Sequence, residues 1–416
     1  MNFSFNFSDF TLTMLPMNLL AVLPELFLFL AISVLLLVGS SYSTSKKHGY
    51  PMLVKPIAWL TMFSLFLAFL LVINNPVPYQ IVFSGALIID NFTNFVKAVI
   101  LLSSIACLAV SLDYIKHERI HAFEYSILIL FAVVGMLLLV SSYDLITLYL
   151  AIEMVSLSSY VLATFKRQSA FSTEAGLKYF ILGAFSSGLL LFGSSMVYGL
   201  TGTTNFGNIS TFLSLSGNDI SLVSIGLVIG VLFIGIALLF KATAAPFHMW
   251  APDVYEGSPT IVSTFFAVVP KIAILGLFLR LFMFSFYGLA VFWQQLIIFC
   301  SLTSMVMAAL IALKQRKLKR FFAYSSVGHV GYLLIGFATG TIEGVYAMMV
   351  YTVIYIIMTL NAWTFILSTE LETKGRGTYF TDLGYLSRIN PLLAITFTNK
   401  AAREMKTRIS TIVGDS

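Results

Sequence analysis

The sequence predicts an all-α polytopic membrane protein, and three observations carry that prediction. Of 416 residues, 59% are hydrophobic and 10% are charged, against about 25% charged in soluble globular chains. The apolar residues gather into eleven runs long enough to cross a bilayer, which takes roughly 20 residues. The charges fall mostly between the runs and alternate from one connection to the next. A soluble domain has no core large enough to hide so much apolar surface.

In chain order the runs are 18–40, 53–74, 94–112, 125–141, 144–164, 175–200, 221–245, 261–283, 286–313, 321–339 and 343–369. A twelfth begins at Pro391 and stops abruptly. The connections after the first, third, fifth, ninth and eleventh runs carry Lys46, Lys47, Lys116, Arg119, Lys166, Arg167, Lys314, Arg316, Lys317, Lys319, Arg320, Lys374, Arg376 and Arg388. Those after the second, fourth, sixth, eighth and tenth carry no Lys or Arg. Basic connections stay on the cytoplasmic or matrix side, so the pattern supports the count of runs and places the N-terminus outside. The net charge of +6 is then topological and does not signal nucleic-acid binding. The opening MNFSFNFSDFTLTMLPMN lacks the basic region of a removed signal or transit peptide. Cys107 and Cys300 lie within apolar runs, far from any ligand cluster, and read as packing residues.

Ionisable residues inside the runs are few, and each costs about 2.5–3.5 kcal/mol at the bilayer centre on insertion scales. They are Glu25, Glu153, Lys178, Lys241, Lys271 and His329. Glu25 follows Pro24 early in its run, so an interfacial place competes with a functional one. Lys97 and Arg280 sit near run ends, where snorkelling is expected. One acid, Glu153, facing two bases, Lys241 and Lys271, does not balance as a plain ion pair. Burial disfavours an ammonium and a nearby carboxylate favours it, so moving or screening Glu153 would switch a lysine between holding and releasing a proton. Pro246 lacks a backbone N–H and clashes with the preceding turn, so the seventh helix is expected to break just after Lys241. Lys241 and His248 would then line a wet path. Gly226 and Gly230 form a G-x-x-x-G pair that reads as small-residue packing within the chain.

Five stretches together resemble a known family: LAIEMVSLSSYVLATFKRQS, STEAGLKYFILGAFSSGLLLFG, FKATAAPFHMWAPDVYEGSPT, PKIAIL and KRFFAYSSVGHVGYLLIGF. They are similar to the subunit 2/subunit N family of respiratory complex I, the NADH:quinone oxidoreductase, and its antiporter-like relatives. The likeness runs from about residue 18 to about 395. It implies a proton-translocating membrane-arm subunit built from two inverted five-helix repeats with broken helices. The N-terminal segment would be 1–17, three helices 18–112, the first repeat 113–283 and an incomplete, truncated second repeat 284–397. The relay residues it implies are Glu153, Lys178, Lys241, Lys271 and His329: the carboxylate of the fifth helix, a position on the hydrophilic axis, the lysine of the broken seventh helix, the central lysine of the eighth and a second axis position. The family's last lysine lies in a broken twelfth helix, and no residue here takes that role.

The resemblance also implies partners and a place. The partners would be other membrane-arm subunits and the lipid bilayer. No cofactor would be bound by this chain, with NAD, ubiquinone, flavin and iron–sulfur clusters carried on other subunits. Neither G-x-G-x-x-G after a strand, nor G-x-x-x-x-G-K-[ST], nor a cluster-like cysteine spacing occurs. The location would be the mitochondrial inner membrane, with a bacterial inner membrane as the alternative. A stand-alone cation/proton antiporter and a purely structural membrane-arm subunit are the competing functions. The tail LLAITFTNKAAREMKTRI resembles a short motif of superfamily 1 DNA helicases over about twenty residues. With five charges between Lys400 and Arg408 it cannot continue as a membrane helix. Residues 398–416 are expected to be a polar segment foreign to the family, without nucleic-acid or ATPase function, joined where three more membrane helices would follow.

Overall fold

The computed structural model describes residues 17–42, 53–75, 79–117, 122–215, 225–372 and 379–380. Eleven helices among them are long and apolar enough to span a bilayer: α1 Leu23–Tyr42, α2 Val54–Ile73, α3 Asn91–His117, α4 Glu124–Ser141, α5 Leu145–Ala163, α6 Ala170–Thr201, α7a Ile225–Ala242, α8 Thr260–Arg280, α9 Ala290–Ala312, α10 Leu318–Ala338 and α11 Ile342–Glu372. Every expected run is a helix. The expected loops at 46–47 and 119, the twelfth run, Arg388 and the 398–416 tail lie outside the described residues.

α8 is the axis of the bundle, with 94% of its apolar window buried against 28% for α9 and 33% for α1. Its neighbours are α3, α4, α7a and α11. Pro270 stands inside it and removes one backbone N–H. The Phe266 carbonyl four residues earlier accepts instead from the Tyr255 hydroxyl at 3.2 Å, so the missing bond is replaced within the protein. Close helix approach depends on small residues. A side chain at Gly193 of α6 would meet the Gly230 carbonyl of α7a at 2.6 Å, so the Gly230 end of the G-x-x-x-G pair packs inside the chain.

The two ends of the bundle separate as the charges do. At one end the lysine- and arginine-free connections meet: an antiparallel hairpin of β1 (Gln80–Val82) and β2 (Leu87–Ile89) docks through its turn, with Tyr143 N–H donating to the Ala86 carbonyl at 2.9 Å and Asn205 Nδ2 to the Gly85 carbonyl at 2.8 Å. Gly85 has φ +89, open to glycine without strain. A short amphipathic helix Phe206–Leu215 packs beside it against residues 281–289. Neither element was expected from the apolar runs. At the other end Lys317, Lys319, Arg320 and the start of α6 surround a second short helix, α7b (Trp250–Gly257).

Candidate functional site: lysines at a helix break and in the central helix

α7a stops where expected. Thr243 N–H bonds the Phe240 carbonyl at 3.1 Å and Ala244 N–H the Leu239 carbonyl at 3.0 Å, which is the paired bonding of a Schellman end. The left-handed position is taken by Thr243, φ +67, where a glycine is usual and a β-branched residue is strained. Groups freed by the break find partners on other elements. Ala245 N–H donates to Ser304 Oγ at 2.8 Å, Thr303 Oγ1 donates to the Ala245 carbonyl at 3.0 Å, and Trp250 Nε1 donates to the Phe240 carbonyl at 3.0 Å. The chain then resumes as α7b. His248 lies in the break, buried, with its ring 6.1 Å from that of Tyr324.

Lys241 ends the last turn of α7a and points between α5 and α6. Its Nζ donates to Ser156 Oγ at 2.8 Å, Tyr160 Oη at 3.4 Å and Ser187 Oγ at 3.5 Å. Ser156 and Tyr160 are four residues apart and share one face of α5. Gly183 of α6 makes the room: a side chain there would collide with the Tyr160 hydroxyl. Glu153 sits one turn before Ser156, close enough to act on Lys241 through space. Among the described residues no ion pair joins the two, and Glu153 Oε1 is buried without a hydrogen bond. Glu153 thus shares a face of α5 with the two hydroxyls, Ser156 and Tyr160, that Lys241 reaches.

Lys271 lies in the middle of α8 and is 2% exposed. Its Nζ donates to Tyr355 Oη at 3.2 Å and stands 5.5 Å from the ring centroid. Tyr355 Oη in turn donates to the Ala267 carbonyl at 3.0 Å. His329 joins the same cluster: Nδ1 is 2.7 Å from Tyr351 Oη, and its ring is 5.3 Å from that of Tyr355. Lys271 and His329 are therefore brought together across α8, α10 and α11, while Lys241 and Glu153 form a separate group across α5, α6 and α7a.

Lys178 belongs to neither group. Its side chain is 43% exposed and pairs with Glu174 at 2.8 Å and Asp253 at 3.0 Å, because α6 begins five residues earlier than the apolar run and sets position 178 near the bundle end. It opens a chain of alternating charges: Asp253 pairs also with Arg320, Arg320 Nε with Glu256 at 2.6 Å, and Glu256 with Lys317. That chain ties α7b to α6 and α10.

Two expectations for the run ends are corrected, and an interfacial place for Glu25 is excluded. Lys97 does not snorkel: it is 1% exposed and pairs with Glu25 at 2.6 Å. Glu25 is accordingly buried and not interfacial. Arg280 also turns inward, donating to both oxygens of Asp90 at 3.0 and 2.9 Å and covering the Phe92 ring. For both cations an acid from another segment, Glu25 on α1 or Asp90 just before α3, supplies a partner inside the protein. Asp253, Glu256 and Glu370 were missed as site residues, as were the hydroxyls of Tyr160 and Tyr355. Their signal was spacing: Ser156 and Tyr160 follow Glu153 on one helical face. Cys107 and Cys300 are buried free thiols. Among the described residues no group of three His, Cys, Asp or Glu is placed to hold a metal.

Comparison with known proteins places this geometry. The family model described as NADH:quinone oxidoreductase/Mrp antiporter, transmembrane, matches residues 142–403, a stretch holding Glu153, both central lysines and the break. The chain belongs to this family. It is 51% identical over 383 residues to NADH-ubiquinone oxidoreductase chain 2 of Marchantia polymorpha, covering 91% of this chain and 77% of that one. It is 44% identical to NADH-quinone oxidoreductase subunit N of Rhodospirillum rubrum, covering 89% and 74%. Among solved structures it is similar to a chain of respiratory complex I from Thermus thermophilus, with a TM-score of 0.70 and 28% identity over 90% of this chain and 76% of that one. A chain of the Mrp complex from Dietzia sp. shares the fold at a TM-score of 0.68 and 21% identity, covering 83% of this chain and 38% of that one. The fold is the antiporter-like one, and the protein is integral to the membrane.

Proposed function

We propose that this chain is a proton-translocating membrane-arm subunit of an NADH:ubiquinone oxidoreductase, driven by electron transfer on other subunits that carry NAD, flavin, iron–sulfur clusters and ubiquinone. The observation that carries the reading is the state of its two central lysines: Lys271 is buried and Lys241 half-buried, and both touch hydroxyls in place of a carboxylate. An ammonium held only by hydroxyls loses less on giving up its proton than one in a buried ion pair. Glu153, one turn from Ser156 on the same face of α5, supplies a field that favours the charged form, and weakening it favours release. His329 and Tyr355 extend the second lysine's contacts across α10 and α11. Lys178 is assigned to the charge chain that holds α7b, beside the relay.

Residues 113–283 would form the first repeat and 284–397 the start of the second. The basic connections would face the matrix or cytoplasm, with the N-terminus outside. The greater identity to the plant chain favours a mitochondrial inner membrane over a bacterial one. No nucleic acid is assigned to the tail. The test is NADH-driven proton pumping in closed membrane vesicles carrying Lys241→Ala in the assembled complex: pumping falls more than complex abundance does. Unchanged pumping would favour a structural subunit. Sodium/proton exchange by the purified chain alone in liposomes would favour an autonomous antiporter.

A further inference from the structure

At the end of the bundle with the basic connections lies a cavity of about 280 Å³, roomy enough for water. Tyr114 of α3, Glu256 of α7b, Lys317 and Lys319 of the α10 end, Lys166 and Glu370 of α11 line it. Glu370 is 3% exposed. Its Oε2 accepts from Tyr114 Oη at 2.8 Å and Thr260 Oγ1 at 2.7 Å. Its Oε1 accepts no hydrogen bond, and Lys319 Nζ stands 3.9 Å away. Glu370 thus lines the cavity and keeps one buried carboxylate oxygen without a hydrogen-bond donor, able to accept a proton.

Polar groups lead inward from there. Thr260 and Thr264 share one face of α8 with Lys271, at spacings of four and seven residues. Both threonines are buried, and Thr264 Oγ1 donates to the Thr260 carbonyl at 2.8 Å. On the facing side Ser326 of α10 and Thr359 of α11, also buried, stand beside the Tyr355 hydroxyl, which touches Lys271. Thr264 and Lys271 are about 10 Å apart along the helix axis. Ser263, the other hydroxyl in this part of α8, is turned to Ser258 and the Tyr255 carbonyl, so the stripe of Thr260 and Thr264 is the one on the Lys271 face.

We propose that Glu370 is the proton-accepting carboxylate through which the cavity feeds Lys271. The inference rests on reading Lys271 as a relay. A proton from cavity water adds to the Glu370 carboxylate and neutralises it. Hydroxyls and water along the α8/α11 contact each accept one proton and release another. Glu370 returns to its charged form, and the Lys271 amine becomes the ammonium.

The test compares Glu370→Gln, Glu370→Asp and Lys271→Met in membranes holding the assembled complex, with NADH-driven pumping measured with and without formate, a small acid able to enter the cavity. The expected result is that Glu370→Gln slows pumping tenfold or more, the scale on which a positioned proton-transfer group acts. Formate restores much of it, and Glu370→Asp retains most of it. If Lys271→Met stops pumping while Glu370→Gln leaves it at the native rate, Glu370 is not the acceptor and the relay reading stands. If neither change matters, both fail. A loss that formate does not relieve and Glu370→Asp reproduces would make Glu370 a structural tie between Tyr114 and Thr260. Should Glu370→Gln not assemble, Thr264→Val decides: slowed pumping in a normally abundant complex supports the route, and a native rate overturns it.

Discussion

Lys97 and Lys271 are equally withdrawn from water, at 1% and 2% exposure, yet they are held in opposite ways. Lys97 meets a carboxylate, Glu25, at 2.6 Å across the α1/α3 contact. Lys271 meets a single tyrosine hydroxyl at 3.2 Å. A buried pair fixes both its members, because freeing either leaves an uncompensated charge. A buried lysine with a neutral partner can lose its proton and leave no charge behind. Under the proposed function, then, the partner and not burial alone distinguishes an exchangeable lysine from a pinned one in this bundle. The same contrast separates Arg280, clamped by Asp90, from Lys241, ringed by Ser156, Tyr160 and Ser187.

The largest effect should come from breaking the pin. Glu25→Gln leaves Lys97 buried and unpaired, a change that costs about 3–5 kcal/mol in comparable sites. Immunoblots of native gels should show the complex nearly lost, and Glu25→Leu with Lys97→Met should restore it, since two apolar side chains replace a buried pair at little cost. Next, Lys271→Met should leave abundance at or above the native level while proton pumping falls tenfold or more. Lys241→Ala should act in the same direction. Glu153→Gln should be milder, reducing pumping a few-fold, because it removes a field and leaves the lysine in place. Loss of assembly in Glu153→Gln would instead mark a structural ion pair.

The smallest effect is expected at Gly183. Gly183→Ala pushes the Tyr160 hydroxyl away from Lys241, removing one hydrogen bond worth about 1 kcal/mol. Pumping should drop about twofold to fivefold, and Tyr160→Phe should match it. A native rate in both would show that Ser156 and Ser187 suffice to hold the lysine.

All eleven spans were readable from the sequence because each is set by local apolar length, and the break after Lys241 was readable from Pro246. The hairpin at Gln80–Ile89 and the helix Phe206–Leu215 were not, because both are too short and too mixed in composition to stand out beside 20-residue runs. Lys241 and Lys271 were visible as charges in apolar runs, but so was Lys178, which the early start of α6 carries to the bundle end. What separates these cases is contact between helices distant in the chain: Glu25 lies 72 positions before Lys97, and Asp90 lies 190 before Arg280. Position within a run suggested snorkelling for Lys97 and Arg280, whereas an acid distant in the chain, Glu25 or Asp90, decided the outcome. Glu370 escaped for the same reason, since the end of an apolar run gives no hint of Tyr114 and Thr260 beside it.

The most direct test of the distinction between pinned and exchangeable lysines is the number of protons pumped per electron in closed vesicles, compared between Lys271→Met and the paired Glu25→Leu/Lys97→Met replacement. If the partner decides the role, the ratio falls in Lys271→Met and stays native in the paired replacement, with both complexes fully assembled. A native ratio in Lys271→Met, or a fall in the paired replacement, would contradict it.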